Sequence, residues 1–279
     1  MSLQIKASFK KELLAYVRTK RVFIIALVII GLAMMSPLLI TGMGSLVDML
    51  SGFYEEFGMD VSELTEALGA SVAIGVSSSV SDITGAGLIV LLLLINYAAG
   101  GEQKKRSVII PRSAGLKSMA YILPKFIIYP MSAFFIAFFA ILVSYPISVS
   151  VFDINDVSFT GVFLAAVLAG VCLMLFTCFH LALGTATGRA GMSAAICISA
   201  SILLSNVLAF FSIEYMFNPF TLNHLATSVI YSGNITGALV TDIIITILFA
   251  KAIMVLLYFI AVFAQNAKRI DNSGNEIEL

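Results

Sequence analysis

Long apolar runs alternate with short polar segments along the whole chain. A run of about 18 or more apolar residues predicts a transmembrane helix, because about 20 residues rising about 1.5 Å each cross the hydrocarbon of a bilayer. The pattern therefore predicts an all-α, polytopic membrane protein with a single transmembrane domain, residues 1–279. Its six predicted spans are 22–41, 83–98, 122–149, 161–183, 192–211 and 241–264.

Composition agrees with this class and excludes an ordinary soluble domain. Hydrophobic residues make up 60% of the chain, charged residues 11%, and the mean hydropathy is +1.04. The first apolar run is too long for a cleavable signal peptide, and no small-residue cleavage site follows it. Cys172, Cys178 and Cys197 lie in apolar runs without CxxC spacing, so we interpret them as packing residues.

The N-terminal residues 3–20 have the pattern of an amphipathic helix. Apolar residues recur every four positions, and basic residues fill the positions between them. A basic helix with an apolar stripe is expected to lie in the membrane interface, attracted to anionic lipid headgroups. The alternative is a solvated tail. The stripe consists of Ile5, Phe9, Leu13 and Val17.

Two long segments between spans carry almost no positive charge. Segment 43–81 holds six acidic residues and no Lys or Arg. Segment 213–240 is amphipathic and is broken by the turn signal Asn218-Pro219. The spacing of its apolar residues predicts a half-buried helix just before the last span. These residues are Phe220, Leu222, Leu225 and Val229.

The loop 100–121 holds the densest cluster of positive charge away from the N-terminus. Pro111 is allowed in the first turn of a helix, and the apolar residues that follow share one face. The pattern predicts a short helix over 111–121. A charged, partly helical loop between two spans is a place where a soluble partner can bind. The basic residues are Lys104, Lys105, Arg106, Arg112 and Lys117, and the apolar ones are Leu116, Met119 and Ala120.

A second polar connection, GTATGRAG at 184–191, predicts a tight turn with one charge, Arg189. Gly184 and Gly188 have the small-xxx-small spacing of close helix contacts. Their expected place in a turn makes turn geometry the better explanation.

The positive charges predict the orientation, because basic residues concentrate on the cytoplasmic side of a membrane. With the N-terminus inside, the inner segments hold 15 of the 16 Lys and Arg residues, and the outer segments hold none. Loop 100–121, turn 184–191 and the tail 265–279 are therefore predicted to be cytoplasmic. Segments 43–81 and 213–240 are predicted to face outside.

Motifs for enzyme chemistry are missing from the sequence. It contains no GxxxxGK[ST], no HExxH and no GxSxG. The two histidines, His180 and His224, are expected near opposite membrane faces. We therefore predict no catalytic, cofactor or metal site in this chain.

Lys251 is the sixteenth basic residue and lies inside the sixth predicted span. A charge at this depth costs roughly 2.5–3.5 kcal/mol on insertion scales. Two interpretations stay open: it lines a pathway or pairs with an acidic residue, or it is held by carbonyls or snorkels. Asn96, His180 and Asn206 are weaker candidates, because such residues more often form interhelical hydrogen bonds than substrate contacts.

The order of residues after the second span resembles the inner loop of ABC-2 type transporter permeases. That loop has an acidic residue, basic residues, a Ser or Thr, an apolar run, a Pro, and a Lys opening the third span. The apolar run before the Pro is shorter here than usual in that family. The matching residues are Glu102, Lys104-Lys105-Arg106, Ser107, Val108-Ile109-Ile110, Pro111, Arg112-Ser113, Leu116 and Lys125.

The resemblance implies a plasma-membrane exporter built from two permease chains, identical or different, and two ATP-binding subunits. ATP and Mg would be bound by the partner subunit, and no nucleic acid is involved. The loop would act as a cytoplasmic coupling helix that docks on the ATPase, with Arg189 as a smaller contact. Its coupling residues would be Glu102, Lys105, Arg106, Pro111, Arg112 and Leu116.

A pathway between two such bundles would be lined by residues of the second and fifth spans, 91–96 and 199–206, including Asn96 and Asn206. Apolar and small residues dominate these stretches. They favour a hydrophobic or amphipathic substrate, such as a lipid, drug or peptide, over a sugar or an ion.

Three alternatives remain open. An ion-driven secondary transporter would need carboxylates inside the membrane, whereas Asp82 and Asp242 are expected only at span ends. A membrane enzyme, such as an intramembrane protease, lacks its residue constellation. A non-transporting membrane component of an ABC-like complex would share every feature of the favoured interpretation.

Overall fold

The structure is a computed structural model that describes residues 2–56, 71–104, 113, 115–152, 154–210, 219–232, 236–267, 269–270 and 276–277. The main helices of these ranges are α1 (Ser2–Arg18), α2 (Arg21–Glu56), α3 (Val72–Gly101), α4 (Ser118–Val151), α5 (Phe159–Thr187), α6 (Ala190–Phe210), α7 (Leu222–Tyr231) and α8 (Gly237–Ala267). The shorter elements are the helical turn Glu102–Lys104, the 3₁₀ turn Pro219–Thr221 and two paired antiparallel strands, Arg269–Ile270 and Glu276–Ile277.

Helix α3 is continuous but not uniform. Two π-helical segments, Ile83–Gly87 and Tyr97–Gly101, interrupt its α-helical hydrogen bonding. The α-helical parts are Val72–Asp82 and Leu88–Leu94. Short π-helical segments inside α-helices often mark functional positions.

The chain is a helical, multi-pass membrane protein. Within the described ranges, five helices are long and apolar enough to cross a membrane. The fifth predicted span, 192–211, falls on α6, whose described apolar part is Ala190–Leu203. The count of six spans therefore stays a prediction. The five helical stretches are Arg21–Met43, Val72–Gly101, Ser118–Val151, Phe159–Thr187 and Gly237–Ala267.

Helix α5 forms the centre of the bundle and packs against α4, α6, α7 and α8. Of its most apolar stretch 72% is buried, against 28% for the corresponding stretches of α2 and α8. A helix that is apolar on all sides is expected in such a position. Small residues allow the close approach: a Cβ on Gly170 would lie 2.7 Å from Cδ2 of Phe134.

The second membrane helix begins earlier than the sequence predicted, at Val72 instead of 83. Its first turn is capped by two acceptors from outside the helix. Ser71 Oγ accepts from the backbone N–H of Ile74 at 3.4 Å, and the Asp156 carboxylate accepts from that of Ala73 at 3.0 Å. Residues 72–82 therefore belong to this helix and not to the predicted outer segment 43–81.

The serines of α3 explain why the hydropathy pattern did not predict its first part, Val72–Asp82, as helix. Ser79 Oγ lies 3.0 Å from the carbonyl oxygen of Gly75 and 3.0 Å from that of Ala33 on α2. Ser81 Oγ donates to the carbonyl of Ser77 at 3.1 Å. Because these hydroxyls bond to backbone carbonyls, their polarity is satisfied within the membrane helix.

Asp82 is not at the end of a span, as the sequence predicted, but inside the helix Val72–Gly101. Its carboxylate accepts a hydrogen bond of 2.6 Å from Ser36 Oγ on α2. The error follows directly from placing the start of the second span too late.

The two amphipathic helices are present. In α7, Leu222, Leu225 and Val229 are buried, which confirms the half-buried face. Helix α1 packs on α4 and α2. Of its stripe residues, Phe9 packs against the core, whereas Leu13 and Val17 are exposed. The face turned to the bundle is offset from the predicted stripe and includes Glu12 and Tyr16.

The predicted helix over 111–121 is interrupted at residues 115–117. Gly115 has a left-handed φ of +86°, and Lys117 is extended with φ −73° and ψ 141°. A left-handed glycine ends helical geometry without steric penalty. Ser118–Tyr121 instead form the first turn of α4. Residues 105–112 and 114 lie outside the described ranges.

The predicted turn 184–191 is much shorter in the structure. Helix α5 continues to Thr187, and Gly188 caps it with φ +67°. Turn geometry therefore explains why residue 188 is a glycine, but the same explanation is wrong for Gly184, which lies inside α5. A Cβ on Gly184 would lie 2.8 Å from the carbonyl oxygen of Ala99, so this glycine lets α5 approach α3.

We expect Gly184→Ala to destabilise the protein. The added Cβ would press on the backbone of Ala99, and overpacking of this kind costs about 1–3 kcal/mol. Thermal unfolding in detergent should show a lower midpoint. The matched control is Gly31→Ala, where a Cβ meets nothing within 4 Å. Equal midpoints for the two variants would contradict the close approach.

Candidate functional site

A buried polar network lies at the end of the bundle where α3 ends and α4 begins, here called the basic end. Glu102 and Gln103 follow α3 directly, yet their exposed fractions are only 4% and 8%. Glutamate is rarely this buried unless it is paired. The position is informative because the basic residues of the loop come immediately after it.

Within the described ranges, three donors from two other helices hold Glu102. Lys125 Nζ on α4 donates to Oε2 at 2.6 Å, and Tyr121 OH donates to the same oxygen at 2.8 Å. Lys11 Nζ on α1 donates to Oε1 at 3.0 Å. Both carboxylate oxygens are therefore paired, and α1 and α4 meet at one side chain.

The charge state of Glu102 follows from these contacts. Burial raises the pKa of its carboxyl, but the charges of Lys125 and Lys11 and the hydrogen bonds from Lys125 and Tyr121 together lower it to about 2. Glu102 is therefore ionised at every physiological pH.

Lys125 is fully buried, and all three of its ammonium hydrogens have acceptors. Besides Glu102, Nζ donates to the carbonyl of Ala98 at 2.9 Å and to Tyr121 OH at 2.8 Å. Tyr121 and Tyr129 stand four residues before and after Lys125, on the same face of α4. Such complete pairing is what allows a lysine to be buried at all.

Helix α1 is fixed to α4 by a second set of contacts next to Glu102. Glu12, also buried, accepts from Tyr129 OH at 3.2 Å. Tyr16 OH and Ser132 Oγ are 3.0 Å apart, and the rings of Tyr16 and Tyr129 pack edge to face at 4.8 Å. The N-terminal helix therefore belongs to the bundle mechanically and is not a loose tail.

Gln103 extends the network to the remaining helices of the basic end. Its Nε2 donates to the carbonyl of Thr185 on α5 at 3.2 Å and to Oε1 of Gln265 on α8 at 2.8 Å. Glu102 and Gln103 together therefore join α1, α4, α5 and α8 to the end of α3.

The far end of the loop also touches α1. Gln4 Nε2 donates to the carbonyl of Gly115 at 3.2 Å. Leu116 is half-buried and packs on the hydrophobic core. Arg189, at the turn between α5 and α6, is exposed.

The other predicted site residues are spread over the molecule. Four of the coupling residues lie outside the described ranges: Lys105, Arg106, Pro111 and Arg112. Asn96 Oδ1 is buried without a hydrogen-bond partner. The backbone of Asn206 lies in α6, and its side chain is outside the description. Lys251 is exposed near the middle of α8, on its outer surface.

Most of the network was missed from the sequence. The signals that existed were local: a Glu-Gln pair directly after an apolar run, tyrosines four residues either side of a lysine, and one acid in a basic helix. The missed residues are Lys11, Glu12, Gln103, Tyr121, Tyr129 and Gln265, and Lys125 was noted only as a charge opening the third span.

No protein-family model matches this chain, and no curated protein or solved structure matches it. Among the described residues, no group of three or more His, Cys, Asp or Glu side chains could hold a metal ion. Function must therefore be inferred from the chain's own residues. The network is suited to hold helices together and to move them as a unit.

We expect Lys125→Met to destabilise the protein strongly. It removes the shortest ion pair of the buried Glu102, 2.6 Å long, and removing one member of a buried pair costs about 3–5 kcal/mol. The control is Lys117→Met, which removes an exposed lysine near the start of the same helix. Thermal unfolding in detergent measures both.

Adding Glu102→Gln to Lys125→Met should recover part of the lost stability, because no unpaired charge then remains buried. If the stability lost by the double variant equals the sum of the losses in Lys125→Met and Glu102→Gln, the two residues act independently. That outcome would contradict the ion pair as the centre of the network.

The lowered pKa of Glu102 predicts a pH dependence. The carboxyl has an ordinary pKa of about 4.3 in an unfolded chain and about 2 in the folded protein. Its stabilising effect is therefore complete above about pH 5 and is lost as the pH falls toward 2. The difference in unfolding midpoint between wild type and Glu102→Gln should stay constant from pH 8 to pH 6. A difference that shrinks within that range would contradict the assignment.

Proposed function

We propose that this chain is the membrane-spanning permease subunit of an ABC transporter of the ABC-2 exporter type. It would work as two permease chains, identical or different, with two ATP-binding subunits that bind ATP and Mg. One observation carries this proposal: Glu102 and Gln103 join α1, α4, α5 and α8 directly before the basic loop.

The coupling mechanism follows from that position. A soluble ATPase that contacts the loop 105–112 would pull on Glu102 and Gln103, whose side chains are buried and hydrogen-bonded. Packed, fully paired networks move as units between discrete arrangements. A shift of the loop would thus reach α1, α4, α5 and α8 together and bias the bundle between two states.

In the proposed topology the protein lies in the plasma membrane, and both of its termini are in the cytoplasm. With α6 as the fifth span, the chain would cross the membrane six times. The Lys and Arg residues within 2–21 and 104–125, together with Arg189, would then lie on one side of the membrane. Helix α7 and the segment after α2 would face outside. The exposed apolar residues of α1, Leu13, Leu14 and Val17, would contact lipid at the inner surface.

The proposed substrate is hydrophobic or amphipathic, in the class of lipids, drugs or peptides. Its support is the scarcity of charge in the spans: α5 carries no charged residue, and the single charge of α3 within Val72–Gly101 is Asp82. A small hydrophilic cargo in a transport assay would contradict this part of the proposal.

We expect an ATP-binding subunit to co-purify with the tagged protein in mild detergent, with ATPase activity in the eluate. Changing Arg106 and Arg112 to Ala should remove that subunit, because it deletes two charges of the loop. The control changes Lys6 and Lys10 to Ala, two exposed residues of α1 with the same total charge. Retention of the ATPase by the loop variant would contradict the docking site.

An ion-driven secondary transporter is a second candidate, because Asp82 lies inside a membrane helix. Coupling carboxylates are expected there in such proteins. In proteoliposomes without ATP, a pH or sodium gradient would then drive transport, and Asp82→Asn would abolish it. Transport that needs ATP and survives Asp82→Asn would remove this candidate.

A further inference from the structure

A cavity of about 180 Å³ lies within the chain between α3, α5, α6 and α7. Its polar lining consists of Ser81, Thr84, Cys172, Ser201, Asn223 and His224. Cys172 is near the middle of α5, and the exposed residues Ser81, Gly85 and Ile202 lie at the open side of the cavity.

The cavity offers several hydrogen-bond acceptors. The hydroxyls of Ser81 and Thr84 donate to the carbonyls of Ser77 and Val80 at 3.1 and 2.8 Å. Because their protons are used in this way, their oxygen lone pairs are left to accept hydrogen bonds. Asn223 Oδ1 is an acceptor that is buried without a hydrogen-bond partner. No charged side chain is among the described lining residues.

His224 adds a second buried polar atom without a partner, Nε2. Leaving one such atom unsatisfied costs about 1–3 kcal/mol. Two of them on adjacent residues of the same helix, both lining one cavity, point to a ligand that forms hydrogen bonds. Asn223 Oδ1 requires a donor, and His224 Nε2 accepts in the tautomer that carries its proton on Nδ1. Phe176 and Ile202 provide apolar walls beside them.

The wall on α3 has a special geometry. Thr84 and Gly85 lie in the π-helical segment Ile83–Gly87. A Cβ on Gly85 would meet nothing within 4 Å, so this residue leaves space instead of filling it. A widened helix with an open glycine is a reasonable place for a ligand to contact the backbone.

We propose that this cavity binds the polar group of an amphipathic molecule through hydrogen bonds that the molecule donates, as a hydroxyl, amide N–H or primary ammonium can. The inference rests on the proposed transport function and narrows its substrate class. An anion is disfavoured because the cavity presents acceptors and no positive charge. The apolar remainder of the molecule would lie along Phe176 and Ile202.

The experiment uses tryptophan fluorescence, because the chain contains no Trp. Ile202→Trp places the reporter at an exposed lining residue, and Phe176→Trp is the second reporter if the first does not fold. The full chain in nanodiscs is titrated with dodecylamine, which carries N–H donors. The comparison probe is dodecyltrimethylammonium, which has the same chain and charge without donors.

We expect saturable binding of dodecylamine and at least about tenfold weaker binding of the trimethyl compound, the equivalent of one lost hydrogen bond. Asn223→Leu should weaken the binding of dodecylamine by a similar factor. Gly85→Leu should abolish saturation by filling the cavity, whereas Gly31→Leu, an equally open glycine on α2, should not.

Equal binding of the two probes would overturn recognition by donated hydrogen bonds. A signal that persists in Gly85→Leu would show partitioning into lipid only and would overturn the site. Either result with an ATPase still co-purifying overturns the cavity proposal alone. Saturable, Gly85-dependent binding in a protein that has no ATP-binding partner would support the cavity and contradict the permease proposal.

Discussion

The ion pair between Glu102 and Lys125 is the contact on which the basic end of the bundle depends. Lys125 is completely buried, and its ammonium group has no route to water, so its charge is tolerable only while Glu102, Ala98 and Tyr121 accept from it. The same carboxylate holds α1 through Lys11. Loss of the pair would leave a buried charge at the point where the N-terminal helix is attached through Lys11.

At the basic end of the bundle, α3 and α5 are joined both by close backbone packing and by hydrogen bonds. Gly184 lets α5 approach the backbone of Ala99, and a Cβ on Gly100 would in turn lie 2.8 Å from the carbonyl of Gly184. Gln103 then reaches the carbonyl of Thr185, the next residue of α5. In apolar surroundings interhelical hydrogen bonds and small-residue contacts take over the role that hydrophobic burial has in water. The end of α3 is therefore fixed on all sides.

The sequence predicted the membrane class and the approximate place of each long helix, because hydropathy over about 20 residues measures what a bilayer requires. It predicted the buried face of α7 from spacing alone. It failed where polarity is satisfied locally. The serines of α3 score as polar but bond to their own helix, so the helix start and the depth of Asp82 were misjudged. Gly184 was assigned to the wrong element, and the buried ion pair of Lys125 was not predicted, because long-range partners that one sequence does not show decide their roles.

Helix α3 connects the two features that concern function. Its end carries Glu102 and Gln103, and its middle carries Thr84 and Gly85 at the cavity. Both places adjoin π-helical segments, which hold one residue more per turn than the surrounding α-helix and have weaker hydrogen bonding. In the proposed mechanism, a pull at the basic end would shift such a segment by one residue without breaking the helix. A one-residue shift would turn its side chains by about 100° and so change which of them face the cavity. Movement of the loop and release from the cavity would then be one event within a single helix.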